Sequence, residues 1–450
     1  MEIKLEKKYG LITAIAMVVG IVIGSGVFFK AEKVLTATGG NLTLGILAWV
    51  IGGIIMISCA YTFAVMATKY QYVNGIVDYA EATMGKTYGY YVGWFMALIY
   101  YPTLTSVLAW VSARYTCVLV GFPITGGECM IIACLYLIGS YALNALSPIL
   151  AGKFQVSTTI IKLIPLTLMA VVGTVIGISS GMTITNFTTV VKEVNTLNAL
   201  FTAVVATAFA YEGWIIATSI NAELRDAKKN LPLALVAGTF TIMIIYILYY
   251  IGLAGAVTNK VMMSGGEAGA KLAFQTIFSS VGGSLIFVFV IISCLGTLNG
   301  LMLGCTRGIY SIAVRGFGPK PKVFKQIDKE TNMPTNSAVL GLLLCAIWLL
   351  FFYGANLTKP WFGFFCFDSS ELPIVTIYAM YIPIFIMMIR KEKDLSFFKR
   401  FVMPIISLAG CIFMIIAACF SHGMSVVAYL IIFAIIMGIG ALFSKKANLN

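Results

Sequence analysis

Charged residues are scarce in this sequence: Asp, Glu, Lys and Arg make up only 10% of the 450 residues, and there is a single histidine. Hydrophobic residues account for 60%. A soluble protein of this size needs more polar surface than these residues supply. The low polar content therefore excludes a soluble globular protein and predicts a polytopic helical membrane protein.

Groups for catalysis, metal binding and ATP hydrolysis are missing too. His422 is the only histidine, the ten cysteines include no CxxC pair, and no GxxxxGK[ST] motif occurs. No hydrophilic stretch is large enough for a separate domain, and no repeated selectivity-filter segment supports a channel. We therefore predict a protein that is not an enzyme and that uses no cofactor and no metal.

Apolar runs long enough to cross a bilayer recur along the whole chain. One helical span needs about 20 apolar residues. The predicted fold class is therefore an all-α integral membrane protein with about twelve spans. These lie at residues 11–29, 43–66, 89–120, 129–149, 156–180, 198–220, 232–256, 275–313, 336–355, 367–389, 402–420 and 424–443.

The net charge of +13 follows this topology. With a cytoplasmic N-terminus, 21 of the 30 Lys and Arg residues fall in cytoplasmic segments and six, including Lys30 and Lys33, fall in outer segments. The remaining three lie within spans. Such an asymmetry is the positive-inside rule. We predict that both termini are cytoplasmic, and a nucleic-acid partner is not expected.

Two predicted spans contain residues that interrupt a helix. The first span holds GIVIGSGVFF, in which Gly20, Gly24 and Gly26 surround Ser25. The sixth span holds AFAYEGW, with the acidic Glu212 beside a glycine near mid-membrane. Close packing through small residues also explains such glycines. Interrupted helices at matching places in two inverted halves are, however, typical of a transporter binding site.

The backbone groups freed by two such breaks suit a zwitterion. Donors at the start of the second half-helix suit a carboxylate, assisted by the helix dipole, and freed carbonyls suit an ammonium. Glycine allows close approach of the ligand. The site would bind the part common to all α-amino acids. The predicted substrate-binding residues are Val22, Ile23, Gly24, Ser25, Gly26, Phe209, Ala210 and Glu212.

The chain resembles the amino acid–polyamine–organocation (APC) transporter superfamily, and within it the L-type amino acid transporter branch with its bacterial serine/threonine-exchanger-like members. Besides the two span motifs, three stretches carry the resemblance: AELRDAKKNLPLAL from Ala222, KLIPL from Lys162, and ISCLGTLNGLMLGCTRGIYSIAVRG from Ile292. The resemblance implies a LeuT-like fold. Its five plus five inverted helices would occupy residues 1–390, and two further spans residues 391–450.

The resemblance also implies a function: sodium-independent secondary transport of small neutral L-amino acids of the Ala/Ser/Cys/Thr kind, by exchange with alternating access. The implied location is the cell membrane of a prokaryote. A cationic amino acid or polyamine exchanger and a proton-coupled importer stay open as alternatives. Thr125 stands where eukaryotic members carry the cysteine that links to a partner glycoprotein, so no obligatory heavy-chain partner is expected.

Two charged residues have alternative interpretations. Lys162, about six residues into the predicted fifth span, could snorkel to the cytoplasmic interface. The resemblance instead implies an inward-pointing lysine where sodium-coupled relatives hold a cation, and it predicts a coupling group of Lys162, Gly20, Ser293 and Thr297. Glu212 could read a cationic substrate side chain or hold the unwound turn together, and we favour the second.

Overall fold

The computed structural model describes residues 10–70, 75–217, 224–331 and 333–445. Within these ranges the regular elements are helices, and there are twenty-two α-helices. Their bounds are Leu11–Val22 (α1), Gly26–Ala37 (α2), Leu42–Lys69 (α3), Ile76–Met84 (α4), Lys86–Phe95 (α5), Tyr101–Val120 (α6), Gly127–Leu146 (α7), Pro148–Ile161 (α8), Leu163–Leu168 (α9), Thr174–Ser179 (α10), Met182–Thr188 (α11), Thr196–Tyr211 (α12), Trp214–Ala217 (α13), Ala227–Ala256 (α14), Asn259–Gly265 (α15), Glu267–Phe278 (α16), Ser280–Ala313 (α17), Pro321–Phe324 (α18), Thr335–Ala355 (α19), Leu372–Lys391 (α20), Met403–His422 (α21) and Met424–Leu442 (α22).

Ten helical segments in the described ranges are long and apolar enough to cross a membrane. They correspond to the predicted spans 2 to 5 and 7 to 12. The predicted first and sixth spans contain shorter apolar helices, Leu11–Gly20 and Thr196–Tyr211. The all-α membrane fold and both interruptions are thereby confirmed.

Two predicted boundaries are wrong in a way that matters for the site. The second half of the first span runs to Ala37, so Lys30 and Lys33 lie in α2 and not in an outer segment. The helix of the fifth span starts at Pro148, so Lys153 is helical. In both cases hydropathy falls at a lysine while the helix continues, because lysine is a good helix former.

One compact unit comprises residues 1–89, 169–260 and 374–421. Its core is rich in aromatic rings, and Trp49 of α3 packs against Tyr211 and Tyr246 with ring centroids 5.6 Å away in each case. Glycines let helices approach: a Cβ at Gly52 would lie 2.2 Å from the Thr207 hydroxyl oxygen. This unit contains both interrupted helices.

The other compact unit comprises residues 90–168, 261–373 and 422–450. The long helix α17 packs along α8, where Asn299 Nδ2 donates to the Ala151 carbonyl and to Gln155 Oε1, each at 3.2 Å. An ion pair of 2.9 Å joins Arg114 of α6 to Glu267 of α16. This unit contains the eighth span and the part of the fifth span that ends at residue 168. It therefore contains Lys162.

Candidate substrate-binding site

The first predicted span is interrupted between Val22 and Gly26. α1 ends at Val22, Ile23 is extended (φ −64°, ψ 110°), and α2 begins at Gly26. The Ser25 carbonyl accepts the Phe29 N–H at 3.1 Å and so caps the first turn of α2. The first N–H groups of a helix have no partner within that helix. The break therefore presents backbone donors at the positive end of the α2 dipole.

The Ser25 side chain adds a hydroxyl to these donors. It is fully buried, and its Oγ has no hydrogen-bond partner among the residues described. A mid-helix serine commonly bonds back to its own preceding turn, and this one does not. A buried polar group without a partner is unfavourable, and the ligand role of Ser25 stays a prediction. The predicted site residues Val22, Ile23 and Gly24 are buried beside it.

Gly26 is the point at which the two interrupted spans touch. A Cβ at Gly26 would lie 2.5 Å from the Cα of Ala210 and 3.1 Å from the carbonyl oxygen of Phe209. The backbone of α12 fills the space in which a side chain would stand. At this glycine the close approach is made by α12, which explains why a side chain is absent here. The contact between the Gly26 backbone and the substrate stays a prediction.

The sixth predicted span is interrupted at Glu212 and Gly213. α12 ends at Tyr211, Glu212 is extended (φ −71°, ψ 153°), and α13 begins at Trp214. Gly213 has a φ of 111°, a conformation that favours glycine. Since the last carbonyls of a helix have no partner within it, this break presents acceptors, among them the carbonyl of Phe209 in the last turn.

Tyr246 of α14 connects the two breaks, and sequence analysis did not identify it. Its hydroxyl donates to the Ala210 carbonyl at 3.1 Å and lies 3.5 Å from the Val22 carbonyl oxygen. The ring stacks on Tyr211, with centroids 5.3 Å apart. Two of the predicted acceptors, Val22 and Ala210, are therefore already in contact with a protein hydroxyl.

The Glu212 carboxylate lies beside α20. It is close enough to act electrostatically on the hydroxyls of Tyr378 and Tyr381. Those two rings pack with centroids 5.5 Å apart, and Tyr381 also meets Trp214 of α13 at 5.7 Å. Glu212 is thus part of the packing around α13, which favours its role in holding the unwound turn.

An aromatic pair and a lysine pack together one turn beyond Gly26. Phe29 of α2 and Phe209 of α12 form an edge-to-face pair with centroids 5.8 Å apart. Lys30 is fully buried, and its Nζ lies 5.0 Å from the Phe29 centroid and 5.2 Å from the Phe209 centroid. A positive charge therefore stands next to one of the predicted substrate-binding residues, where sequence analysis placed an outer loop.

Lys162 is buried in the middle of the fifth span. Only 3% of the residue is exposed, and it occupies the bend between α8 and α9. Pro165 explains the bend because it cannot donate to the Ile161 carbonyl. The helix begins at Pro148, so the six-residue depth on which the snorkelling interpretation depends is wrong. Gly20 lies in the last turns of α1, and its tie to Lys162 stays a prediction.

The fifth and eighth spans pack closely beside Lys162. A Cβ at Gly296 would lie 2.4 Å from Thr158 Oγ1, and Thr158 is one turn before Lys162 in α8. Ser293 is fully buried, and its Oγ has no hydrogen-bond partner in the described part of the chain. The Thr297 hydroxyl donates to the Ser293 carbonyl at 3.1 Å. Ser293 lies about one turn before Gly296 in α17, and the contact of Ser293 or Thr297 with Lys162 stays a prediction.

Some cysteines lie close together in pairs without forming disulfide bonds. Cys305 and Cys345 have their sulfur atoms 3.4 Å apart, and those of Cys59 and Cys411 are 4.0 Å apart. All ten cysteines are free thiols. Within residues 10–70, 75–217, 224–331 and 333–445, no group of three or more His, Cys, Asp or Glu side chains is arranged to hold a metal ion.

Comparison with known proteins shows which family the chain belongs to. A sequence model of the family described as amino acid permease matches residues 9–442. The chain belongs to the amino acid permease family. It is 29% identical over 418 residues to the serine/threonine exchanger SteT of Bacillus subtilis (strain 168), a match that covers 91% of each chain.

Two mammalian proteins extend the comparison. The permease is 26% identical over 364 residues to Asc-type amino acid transporter 1 of Mus musculus, which covers 76% of this chain and 64% of the mouse protein. It is 25% identical over 353 residues to b(0,+)-type amino acid transporter 1 of Homo sapiens, which covers 77% of this chain and 70% of the human protein. The chain is therefore a multi-pass amino acid transporter and not an enzyme, and its substrate is a small molecule.

Proposed function

We propose that this permease exchanges small neutral L-amino acids across the cell membrane without sodium. The carrying observation is the meeting of two helix breaks at Gly26 and Ala210 beside the buried, unpartnered Ser25 hydroxyl. Donors at the start of α2 would bind the substrate carboxylate, and the carbonyls of Phe209 and Glu212 at the end of α12 would bind its ammonium. These groups recognise the α-amino acid core and leave the side chain to other contacts.

Two observations support a neutral substrate. The Glu212 carboxyl lies near Tyr378 and Tyr381 of α20, so it faces the packing around the unwound turn. One relative bears the name serine/threonine exchanger, and it matches 91% of this chain. Both features count against the cationic amino acid or polyamine alternative.

Sodium independence is proposed from Lys162. Its side chain is buried where α8 bends, close to the packed surfaces of the fifth and eighth spans that lead to Ser293 and Thr297. An ammonium with three donors can supply there the positive charge that a sodium ion supplies elsewhere. We also propose that both termini are cytoplasmic, following the lysine and arginine distribution.

We propose that the permease works without a heavy-chain partner. The Thr125 carbonyl accepts the Tyr353 hydroxyl at 3.3 Å, and no thiol occurs at this position. Cys129, the nearest cysteine in the chain, is fully buried in α7. A thiol in that position is poorly placed to link to a second protein.

Transport by the purified protein in liposomes tests the function. Vesicles are preloaded with one unlabelled amino acid at a time, and uptake of labelled serine or alanine is measured. We expect uptake only when an amino acid is inside. Uptake into empty vesicles that follows a pH gradient would establish the proton-coupled importer instead, and strong competition by arginine would favour the cationic alternative.

A sodium series with Lys162→Ala tests the coupling. We expect wild-type uptake to be unchanged when sodium is replaced by choline. Lys162→Ala should lower uptake at least tenfold and unequally from the two membrane faces, while Lys153→Ala, a change in the same helix, should be close to wild type. Sodium-stimulated wild-type uptake or a fully active Lys162→Ala protein contradicts the fixed-ammonium mechanism.

A further inference from the structure

Lys30 is a buried cation close to the proposed substrate site. It is fully buried in α2, and among the described residues only one other lysine, Lys162, is buried. Lys30 follows Gly26 by four residues, so the two lie on one face of α2. Gly26 is where α2 meets the end of α12. The ammonium therefore belongs to the same junction of α2 and α12 as the two helix breaks.

The direction of the side chain brings the charge toward the breaks. Helical side chains lean toward the N-terminus of their helix, so the Lys30 side chain covers the turn that begins at Gly26. Its Nζ lies 5.2 Å from the ring centroid of Phe209, whose carbonyl is a proposed contact of the substrate ammonium. The Phe29 ring also packs against the Lys30 ammonium, with its centroid 5.0 Å from Nζ. The aromatic faces stabilise the cation while it is removed from water.

An ammonium in this place has an electrostatic consequence for the ligand. Two unit charges about 10 Å apart in a medium of effective dielectric constant about 20 change an affinity by roughly tenfold. A second positive charge on the substrate, beyond its α-ammonium, is repelled, and a negative one is attracted. Burial protects this effect from screening by salt.

We propose that Lys30 sets the charge selectivity of the permease, excluding amino acids with cationic side chains and favouring those with neutral or anionic ones. The inference rests on the proposed location of the substrate site. It deepens the proposed function because it names a residue that separates neutral from cationic substrates. The direction of the change in charge selectivity does not depend on the further groups that Lys30 contacts. In every case a neutral replacement removes one positive charge from these surroundings.

The experiment compares Lys30→Met with Lys33→Met. Methionine keeps the length and apolar character of the side chain and removes its charge. Lys33 is a matched control: it lies on the same helix with its Nζ 4.6 Å from the Phe29 centroid, but it is partly exposed. Lys30→Arg retains the charge, and Lys30→Gln is a second neutral variant in case Lys30→Met folds poorly.

Binding is measured as stabilisation of the purified protein by serine, arginine and aspartate, and transport as competition by the same amino acids. In Lys30→Met or Lys30→Gln we expect the affinity for arginine to rise and that for aspartate to fall about tenfold each, so that their ratio changes about a hundredfold. Lys30→Arg and Lys33→Met should keep the wild-type ratio within about twofold. An unchanged ratio in the neutral variants, or equal shifts in both lysine positions, overturns the proposal.

The two proposals fail in different ways. If the wild type does not take up serine or alanine, the proposed substrate class is wrong, and the arginine-to-aspartate binding ratio still decides the role of Lys30. If serine is exchanged and the ratio is the same in wild type and Lys30→Met, the function stands and the charge-selectivity role is rejected.

Discussion

The two helix breaks differ in what they offer a ligand. The break in the first span leaves three residues between α1 and α2 and is followed by a helix of 12 residues, so it presents N–H donors at the positive end of a substantial helix. The break in the sixth span is at Glu212 and Gly213, after a helix of 16 residues, and presents carbonyls at a negative end. In the proposed binding mode, the first break supplies donors to the carboxylate and the second supplies acceptors to the ammonium.

This division explains why the two breaks occur as a pair. A carboxylate and an ammonium on neighbouring atoms need opposite partners a few ångströms apart. A single broken helix has its free carbonyls and its free N–H groups pointing along the same axis. Bringing the start of α2 onto the end of α12 at Gly26 places the donor end of one span against the acceptor end of the other.

The contact between the breaks is the feature most sensitive to change. Gly26→Ala adds a Cβ that would lie 2.5 Å from the Ala210 Cα. We expect the free energy of unfolding to fall by about 1–3 kcal/mol or more. The midpoint of thermal unfolding in detergent should fall, and transport should be lost. Gly10→Ala is the control because nothing lies within 4 Å of its Cβ position. A normal midpoint with abolished substrate binding would instead return Gly26 to the role of admitting the ligand.

The hydroxyl shared by both breaks should give the next largest effect. Tyr246→Phe leaves the Ala210 carbonyl without its hydroxyl donor and removes the contact to the Val22 carbonyl oxygen, which costs about 1–3 kcal/mol when the groups are buried. We expect about a tenfold fall in uptake and a clear loss of thermal stability. Tyr136→Phe removes one hydroxyl contact, to Thr116 at 2.9 Å, and serves as the control. If Tyr246→Phe behaves like Tyr136→Phe, the two breaks are not joined by this group.

The donor break can be weakened without altering its backbone. Ser25→Ala removes the buried hydroxyl, and we expect the affinity for serine and alanine to fall about fivefold to tenfold with unchanged stability. Ser58→Ala is a matched control because that hydroxyl bonds only within α3, to Ile55 at 2.9 Å. The measurement is the dissociation constant for serine and alanine in the wild type, Ser25→Ala and Ser58→Ala. Equal affinities in Ser25→Ala and the wild type would mean that backbone donors alone bind the carboxylate.

The acceptor break should tolerate loss of its side-chain charge. In Glu212→Gln the backbone carbonyl is retained, so we expect the ranking of neutral over cationic substrates to stay within about twofold of wild type while the rate changes. Competition by serine and arginine measures the ranking. A selective loss of arginine, lysine or ornithine binding in the mutant would show that Glu212 reads a substrate side chain.

The helical architecture and both breaks could be predicted from the sequence because each leaves a local signal. Long apolar runs define spans, and glycines or an acidic residue in such a run are costly unless the helix is interrupted there. Gly213 illustrates this, since its φ of 111° favours glycine. The pairing of GSG with AYEG followed from the same reasoning applied to spans five apart.

Contacts between distant segments could not be predicted in the same way. Tyr246 lies in an unremarkable apolar stretch, and nothing near it in the chain indicates that its hydroxyl meets Val22 and Ala210. Lys30 was assigned to an outer segment because hydropathy ends at the first charge, while the burial of that charge by Phe29 and Phe209 comes from packing. The sequence leaves open whether Gly26 serves packing or the ligand, and it does not identify α12 as the neighbour.

The phenol oxygen of Tyr246 has a mechanical consequence. It donates to the Ala210 carbonyl at 3.1 Å and lies 3.5 Å from the Val22 carbonyl oxygen, so pulling the two breaks apart would separate a fully buried hydroxyl from its acceptors. The broken ends should consequently move as one rigid body, held together by the Tyr246 hydroxyl. Bending during a transport cycle would then fall on the remote ends of α1, α2 and α12, while the recognition groups keep their spacing from one face of the membrane to the other.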